Sequence, residues 1–204
     1  MWTVPTRTVL LEEYMAAKDH RLLQPDETAL LVVDVQERFR AAMEGFEPML
    51  SRCVRLVRAF RALALPILVT EQYPKGLGPT VPELLEALGH GGSEQKIPEK
   101  TSFSSYGCDG LPERLRATQA SSVLVCGIET HVCVNQSAQD LLEAGYRVQI
   151  AVDAVESRHA KDREVALRKL ERAGVVLTTS EMAAFELLRD AKHPRFKEVQ
   201  ALFK

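Results

Sequence analysis

Ser122-Val-Leu-Val-Cys-Gly-Ile-Glu-Thr-His-Val-Cys-Val134 decides how this chain folds. Residues 122–126 form a short apolar run suited to a buried strand, and Gly127 opens a tight turn. Over residues 132–144, apolar side chains recur at three- and four-residue spacing, the period of an amphipathic helix. The order strand, turn, helix puts the thiol of Cys133 where the helix begins. Unpaired backbone N–H groups and the positive end of the helix dipole gather at such a place, and both favour thiolate over thiol. Alone, a cysteine there reads as a small buried hydrophobe.

The same order repeats on either side. Short apolar runs at 29–35, 66–70, 147–152 and 175–178 alternate with helical patterns at 48–63, 81–88, 111–118 and 159–173. Such alternation predicts a parallel sheet with helices on both faces. Gly145 and Gly174 each stand between a helical stretch and a strand, as C-terminal glycines do. The stretches before Leu23 and after Ser180 read as helices packed onto the domain, and no repeat or linker divides residues 1–204, so one domain is expected.

Composition narrows the partners. A chain of 204 residues, 46% hydrophobic and 26% charged, can bury one sizeable core. A formal charge of -2 and the lack of basic runs with interleaved aromatics argue against a nucleic-acid surface. No apolar run approaches the ~20 residues of a membrane span, and the N-terminus lacks a signal core. A soluble, cytoplasmic protein acting on a small molecule is expected, with no membrane or nucleic-acid partner. The cysteines at 53, 108, 126 and 133 have no framework spacing and read as reduced thiols. The five histidines are scattered without ligand spacing, so no metal and no cofactor are expected.

Two residues give Cys133 company. Asp34 closes the run Ala29-Leu-Leu-Val-Val-Asp-Val35, and Lys100 lies in Glu99-Lys-Thr-Ser-Phe-Ser104, at the end of an irregular Gly- and Pro-rich segment over 71–105. An aspartate at a strand end is often a solvated turn residue, and a lysine in a polar loop is usually surface. In open α/β sheets, however, ligands sit outside the carboxyl ends of the strands, where all three would converge. Nucleophile, base and cation would then share one edge.

The set Leu31-Val-Val-Asp-Val-Gln-Glu-Arg-Phe39, Lys100-Thr-Ser-Phe-Ser104 and Gly127-Ile-Glu-Thr-His-Val-Cys133 resembles the isochorismatase-like cysteine hydrolase superfamily, in order and spacing along nearly the whole chain. Thr70-Glu-Gln-Tyr-Pro-Lys-Gly-Leu-Gly78, Thr178-Thr-Ser-Glu181 and His193-Pro-Arg-Phe-Lys197 resemble its isochorismatase domain-containing protein subgroup. The resemblance implies a three-layer α/β/α, Rossmann-like fold around a mainly parallel sheet of about six strands. It implies a catalytic triad of Asp34, Lys100 and Cys133. Asp34 would take the thiol proton and later activate water, the Lys100 ammonium would stabilise the thiolate, and Cys133 would attack a carbonyl carbon. In similar enzymes the oxyanion is held by backbone N–H groups matching Glu129 and Cys133, aligned by a non-proline cis peptide matching Ile128-Glu129.

Departures from better-known members narrow the chemistry. Nicotinamidases carry an Asp-x-His constellation after the second strand for a metal, where this chain has Glu71-Gln-Tyr73. True isochorismatases cleave a vinyl ether by acid catalysis and typically lack the cysteine. The expected activity is therefore metal-independent hydrolysis of a C–N bond in a small amide or carbamoyl-type compound, through a thioester on Cys133. A non-catalytic or redox-responsive binding protein on the same fold, and an isochorismatase-type vinyl ether hydrolase, are the alternatives. Gln36 and Phe39 read as substrate-pocket or packing residues, Tyr73 and Phe103 as pocket aromatics, and His131 as lining the pocket or a subunit contact. Cys126 ends a buried strand and reads as structural, while Cys53 falls in an amphipathic helix and Cys108 in a loop. Similar proteins are usually homo-oligomers, and the same is expected here.

Overall fold

The computed structural model describes residues 22–89 and 96–204. The helix expected before Leu23 lies outside the described residues. Six strands, β1 (Thr28–Val33), β2 (Ile67–Gln72), β3 (Glu99–Lys100), β4 (Ser122–Ile128), β5 (Arg147–Glu156) and β6 (Val176–Thr178), form one sheet in the order β3-β2-β1-β4-β5-β6. Every pairing is parallel. Among the described residues the longer helices are α1 (Phe46–Ala62), α2 (Pro82–Leu88), α3 (Leu111–Ala117), α4 (Asn135–Glu143), α5 (Ala160–Arg172), α6 (Ser180–Leu188) and α7 (Phe196–Ala201), with a π-helical turn at Thr130–Val134 ahead of α4 and a short helical turn at Pro74–Leu77. The expected α/β/α layering is present.

Alternation along the central strands separates the two layers. Leu30 and Val32 of β1, with Leu124, Cys126 and Ile128 of β4, pack against Phe46, Leu56 and Phe60 of α1, Leu84 of α2 and Leu187 of α6. Leu31 and Val33, with Val123 and Val125, face Leu111 and Leu115 of α3, Leu141 of α4 and Leu170 of α5. All six residues of β1 and all seven of β4 are buried, as strands covered on both faces must be. At ~25 cal/mol per Å² of apolar area, this two-sided burial is the chief drive holding the layers together.

The strand order reverses between β1 and β4, and their backbones close up there. Gly127 pairs with Val33 and takes φ +112°, and a Cβ at this position would lie 2.1 Å from the Val33 carbonyl oxygen. Only glycine fits. A crevice between outgoing loops is expected at such a reversal, outside the carboxyl ends of the strands.

Three elements differ from the sequence reading. The pattern misses β3, whose two residues pair Glu71 with Glu99 and Gln72 with Lys100; a strand so short and polar has no apolar period to show. β5 runs to Glu156, beyond the apolar run ending at 152, because a register shift between Val125 and Gly127 lets it bulge past Asp153. The C-terminal stretch is two helices, α6 being stopped at Arg189 with φ +62°.

Candidate active site

Three strand ends deliver the side chains. Asp34 follows β1 with φ +51°, a left-handed conformation that aspartate tolerates better than most residues. Lys100 ends β3, and Cys133 sits in the π-helical turn after β4. The Ile128-Glu129 peptide that leads into this turn is cis. Asp34 and Lys100 form an ion pair at 2.6 Å with both side chains 1% exposed, and the Cys133 thiol interacts with the Asp34 carboxylate.

Further polar groups fix this set. The Lys100 ammonium meets Asp34 Oδ2, Gln72 Oε1 at 2.7 Å, the Phe103 carbonyl at 2.9 Å and the Ser102 carbonyl at 3.2 Å. Four acceptors surround three hydrogens, so the cation is fully committed. Thr70 Oγ1 donates to the other carboxylate oxygen of Asp34 at 2.8 Å and lies 3.0 Å from Ser105 Oγ. The Ser105 backbone N–H donates to Ser137 Oγ at 2.7 Å, and Ser137 Oγ donates to the Cys133 carbonyl at 2.6 Å. A polar chain thus runs from the carboxylate to the backbone of the Cys133 turn. Gln72, Thr70, Ser105 and Ser137 went unnoticed in the sequence; Gln72 and Thr70, at the end of β2 one strand from Asp34, were the pair that position alone could have flagged.

The electrostatics correct one expectation. Position at a helix start and the nearby Lys100 were expected to favour thiolate, yet the Cys133 thiol is pushed up to about 12. Burial contributes most and the Asp34 carboxylate next, with Lys100 pulling the other way. Burial likewise raises Asp34 against the opposing pull of Lys100, Thr70 and the thiol. Ionising Cys133 outright would set two anions against one committed cation. Passing its proton to Asp34 leaves the net charge of the site unchanged, and a carboxylate shifted upward is the better acceptor.

The expected pocket residues separate. Gln36 is fully buried and spends its amide on backbone: Nε2 donates to the Gly78 and Gln72 carbonyls, and Oε1 accepts from the Gln72 N–H at 2.8 Å. It braces the loop after β1 and has no group left to bind a substrate. Phe39 packs on the hydrophobic layer under α1. Tyr73, 55% exposed, lines a cleft of about 410 Å³ with Lys75, Lys100, Ser102, Cys108 and Asp109. Phe103 is 52% exposed beside Lys100. His131 is tied through Nδ1 to Ser157 Oγ at 3.0 Å. Glu129, buried beneath the turn, pairs with Arg158 at 2.9 Å.

No three His, Cys, Asp or Glu side chains converge as metal ligands among the described residues. Where nicotinamidases place their metal ligands, the Glu71 carboxylate is taken by the N–H and hydroxyl of Thr80, at 2.6 and 2.7 Å. Among the described residues no helix is long and apolar enough to cross a membrane.

A doubly wound parallel sheet with a thiol, a carboxylate and an ammonium at its switch point is the arrangement of an isochorismatase-like α/β domain. The isochorismatase domain model matches residues 28–182, and the chain belongs to that family. Isochorismatase domain-containing protein 2 of Danio rerio is 44% identical over 176 residues, covering 86% of each chain. A solved structure described as the MAR1 ribonuclease of Caenorhabditis elegans is 43% identical, with a TM-score of 0.80, covering 89% of this chain and 91% of that one. The YcaC product of Escherichia coli, described as an octameric hydrolase of unknown specificity, shares the fold at a TM-score of 0.80 and 24% identity, covering 90% of each chain.

Proposed function

We infer that the protein is a metal-independent cysteine hydrolase that cleaves the C–N bond of a small amide or carbamoyl-type compound through a thioester on Cys133. One observation carries this reading: a buried Asp34–Lys100 pair at 2.6 Å with the Cys133 thiol interacting with the same carboxylate. In the first half-reaction Sγ bonds to the carbonyl carbon as its proton passes to Asp34. The oxyanion is met by the backbone N–H groups of Glu129 and Cys133. Collapse breaks the C–N bond, and the proton leaves Asp34 with ammonia or the amine. In the second half-reaction Asp34 takes a proton from water, the new C–O bond forms, the C–S bond breaks and the thiol regains its proton. Lys100 holds the carboxylate and supplies fixed positive charge without moving.

Ammonia release from a panel of small amides, with mass spectrometry of Cys133, tests the reading. Wild type should release ammonia and carry an acyl adduct at Cys133, and Cys133→Ala should do neither while keeping its fold. Turnover that survives Cys133→Ala overturns the thioester route. Reversible peroxide oxidation of Cys133 with no hydrolysis of any amide would favour the redox-responsive alternative. A ribonuclease reading rests on the printed name of the C. elegans relative. It ranks second because Lys100, its hydrogens already committed, has none left for a phosphodiester oxygen. RNA cleavage that persists in Cys133→Ala would favour it. Assembly into a homo-oligomer, implied by the resemblance, belongs to the same proposal and is read by light scattering.

A further inference from the structure

The turn that carries the nucleophile is fastened to the β5–α5 loop by two neighbouring residues. Arg158 Nε donates to Glu129 Oε1 at 2.9 Å and the Arg158 backbone N–H reaches the same oxygen at 3.3 Å, while Ser157 Oγ meets His131 Nδ1 at 3.0 Å. The Glu129 side chain is 8% exposed, and that of Arg158 51%. A carboxylate buried under the nucleophile's own turn needs a partner, since an isolated buried anion is costly.

We propose that Arg158 is a positioning residue that neutralises Glu129, so that the thiol of Cys133 faces one uncompensated carboxylate fewer. The charged groups acting on the thiol are Asp34 just after β1, Lys100 from β3 and Glu129 from its own turn, with Arg158 paired to Glu129, Asp162 acting on Arg158, and the His131 ring 3.9 Å from Asp162. Asp34 and Lys100 compensate each other at 2.6 Å. Glu129 has Arg158 as its ion-pair partner, and its negative charge pushes the thiol upward. Losing the guanidinium while keeping Glu129 therefore makes the thiol harder to ionise. Losing Glu129 makes it easier.

The proposal rests on Cys133 being the nucleophile of the hydrolase reading, but it is read on the thiol itself, so a failure to find a substrate leaves it standing. The measurement is the second-order rate of Cys133 alkylation by iodoacetamide at pH 8 in the full chain, by peptide mass spectrometry. A change of one unit in thiol pKa alters the thiolate fraction about tenfold. Glu129→Gln should react about three- to tenfold faster than wild type and Arg158→Ala slower by a similar factor. The double variant should return towards the wild-type rate, Arg158→Lys should stay near it, and added salt should shrink the Arg158→Ala effect. A pair that merely fastens the turn would shift both single variants in the same direction, with no sensitivity to salt, and that result overturns the proposal. Circular dichroism and melting of each variant identify any that fail to fold; the backbone bond from Arg158 to Glu129 survives in Arg158→Ala.

Discussion

Two ion-pair clusters hold the loop that follows β1, and they differ in what surrounds them. At its start Asp34 meets Lys100 with both side chains 1% exposed. Further along, Arg40 reaches Glu37, Glu47 and Glu83 while lying over the Phe46 ring, with a side chain 30% exposed and partners 38–62% exposed. The Arg40 cluster has more charged partners, yet water already solvates its charges, so each contact gains little. In the Asp34–Lys100 pair desolvation has been suffered in full, and every bond to Gln72, Thr70 and the carbonyls offsets it. The first cluster staples a loop. The second stores chemistry, because a carboxylate raised by burial next to a raised thiol can exchange a proton with it.

The largest break in this contrast comes from removing one buried partner. Lys100→Ala leaves Asp34 buried without its cation, and urea unfolding should show a loss of about 3–5 kcal/mol; an unchanged midpoint would mean that the pair is wet. A smaller effect is read at alkaline pH. Cys133 stands at about 12 when folded against a reference of 9.0, so it favours the folded state below pH 9 and loses that contribution as pH rises from 9 towards 12. Wild type should therefore lose stability over this window more steeply than Cys133→Ala, and parallel stability curves would contradict the shift. The smallest effect belongs to the exposed cluster: Arg40→Ala should cost about 1 kcal/mol or less, and the difference should fade in ~1 M NaCl. A loss as large as that of Lys100→Ala would erase the distinction between the two clusters.

How far this was legible in the sequence depends on the kind of signal. Strands β1 and β4 announce themselves as apolar runs because they are buried along their whole length, and β2 through its buried centre at Leu68, Val69 and Thr70, whereas β3 is two polar residues that pair only because β2 is already there. Asp34, Lys100 and Cys133 are unusual residues at strand ends within short motifs, and the structure brings them into one cluster. Gln36 reads equally as pocket or packing until the chain is folded, when the Gln72 and Gly78 backbone claims its amide. Thr70, Ser105 and Ser137 are ordinary hydroxyl residues whose significance arises from convergence across 67 positions of chain, which no local pattern records. Arg158 is equally silent, since nothing near it in sequence points to Glu129.

The saturated ammonium of Lys100 bears on how a covalent probe for this protein should be designed. An anionic arm aimed at that lysine would find its hydrogens taken by Asp34, Gln72 and two carbonyls, and would meet the Asp34 carboxylate instead. A probe suited to the site is therefore a small, uncharged electrophile with no anionic arm for Lys100.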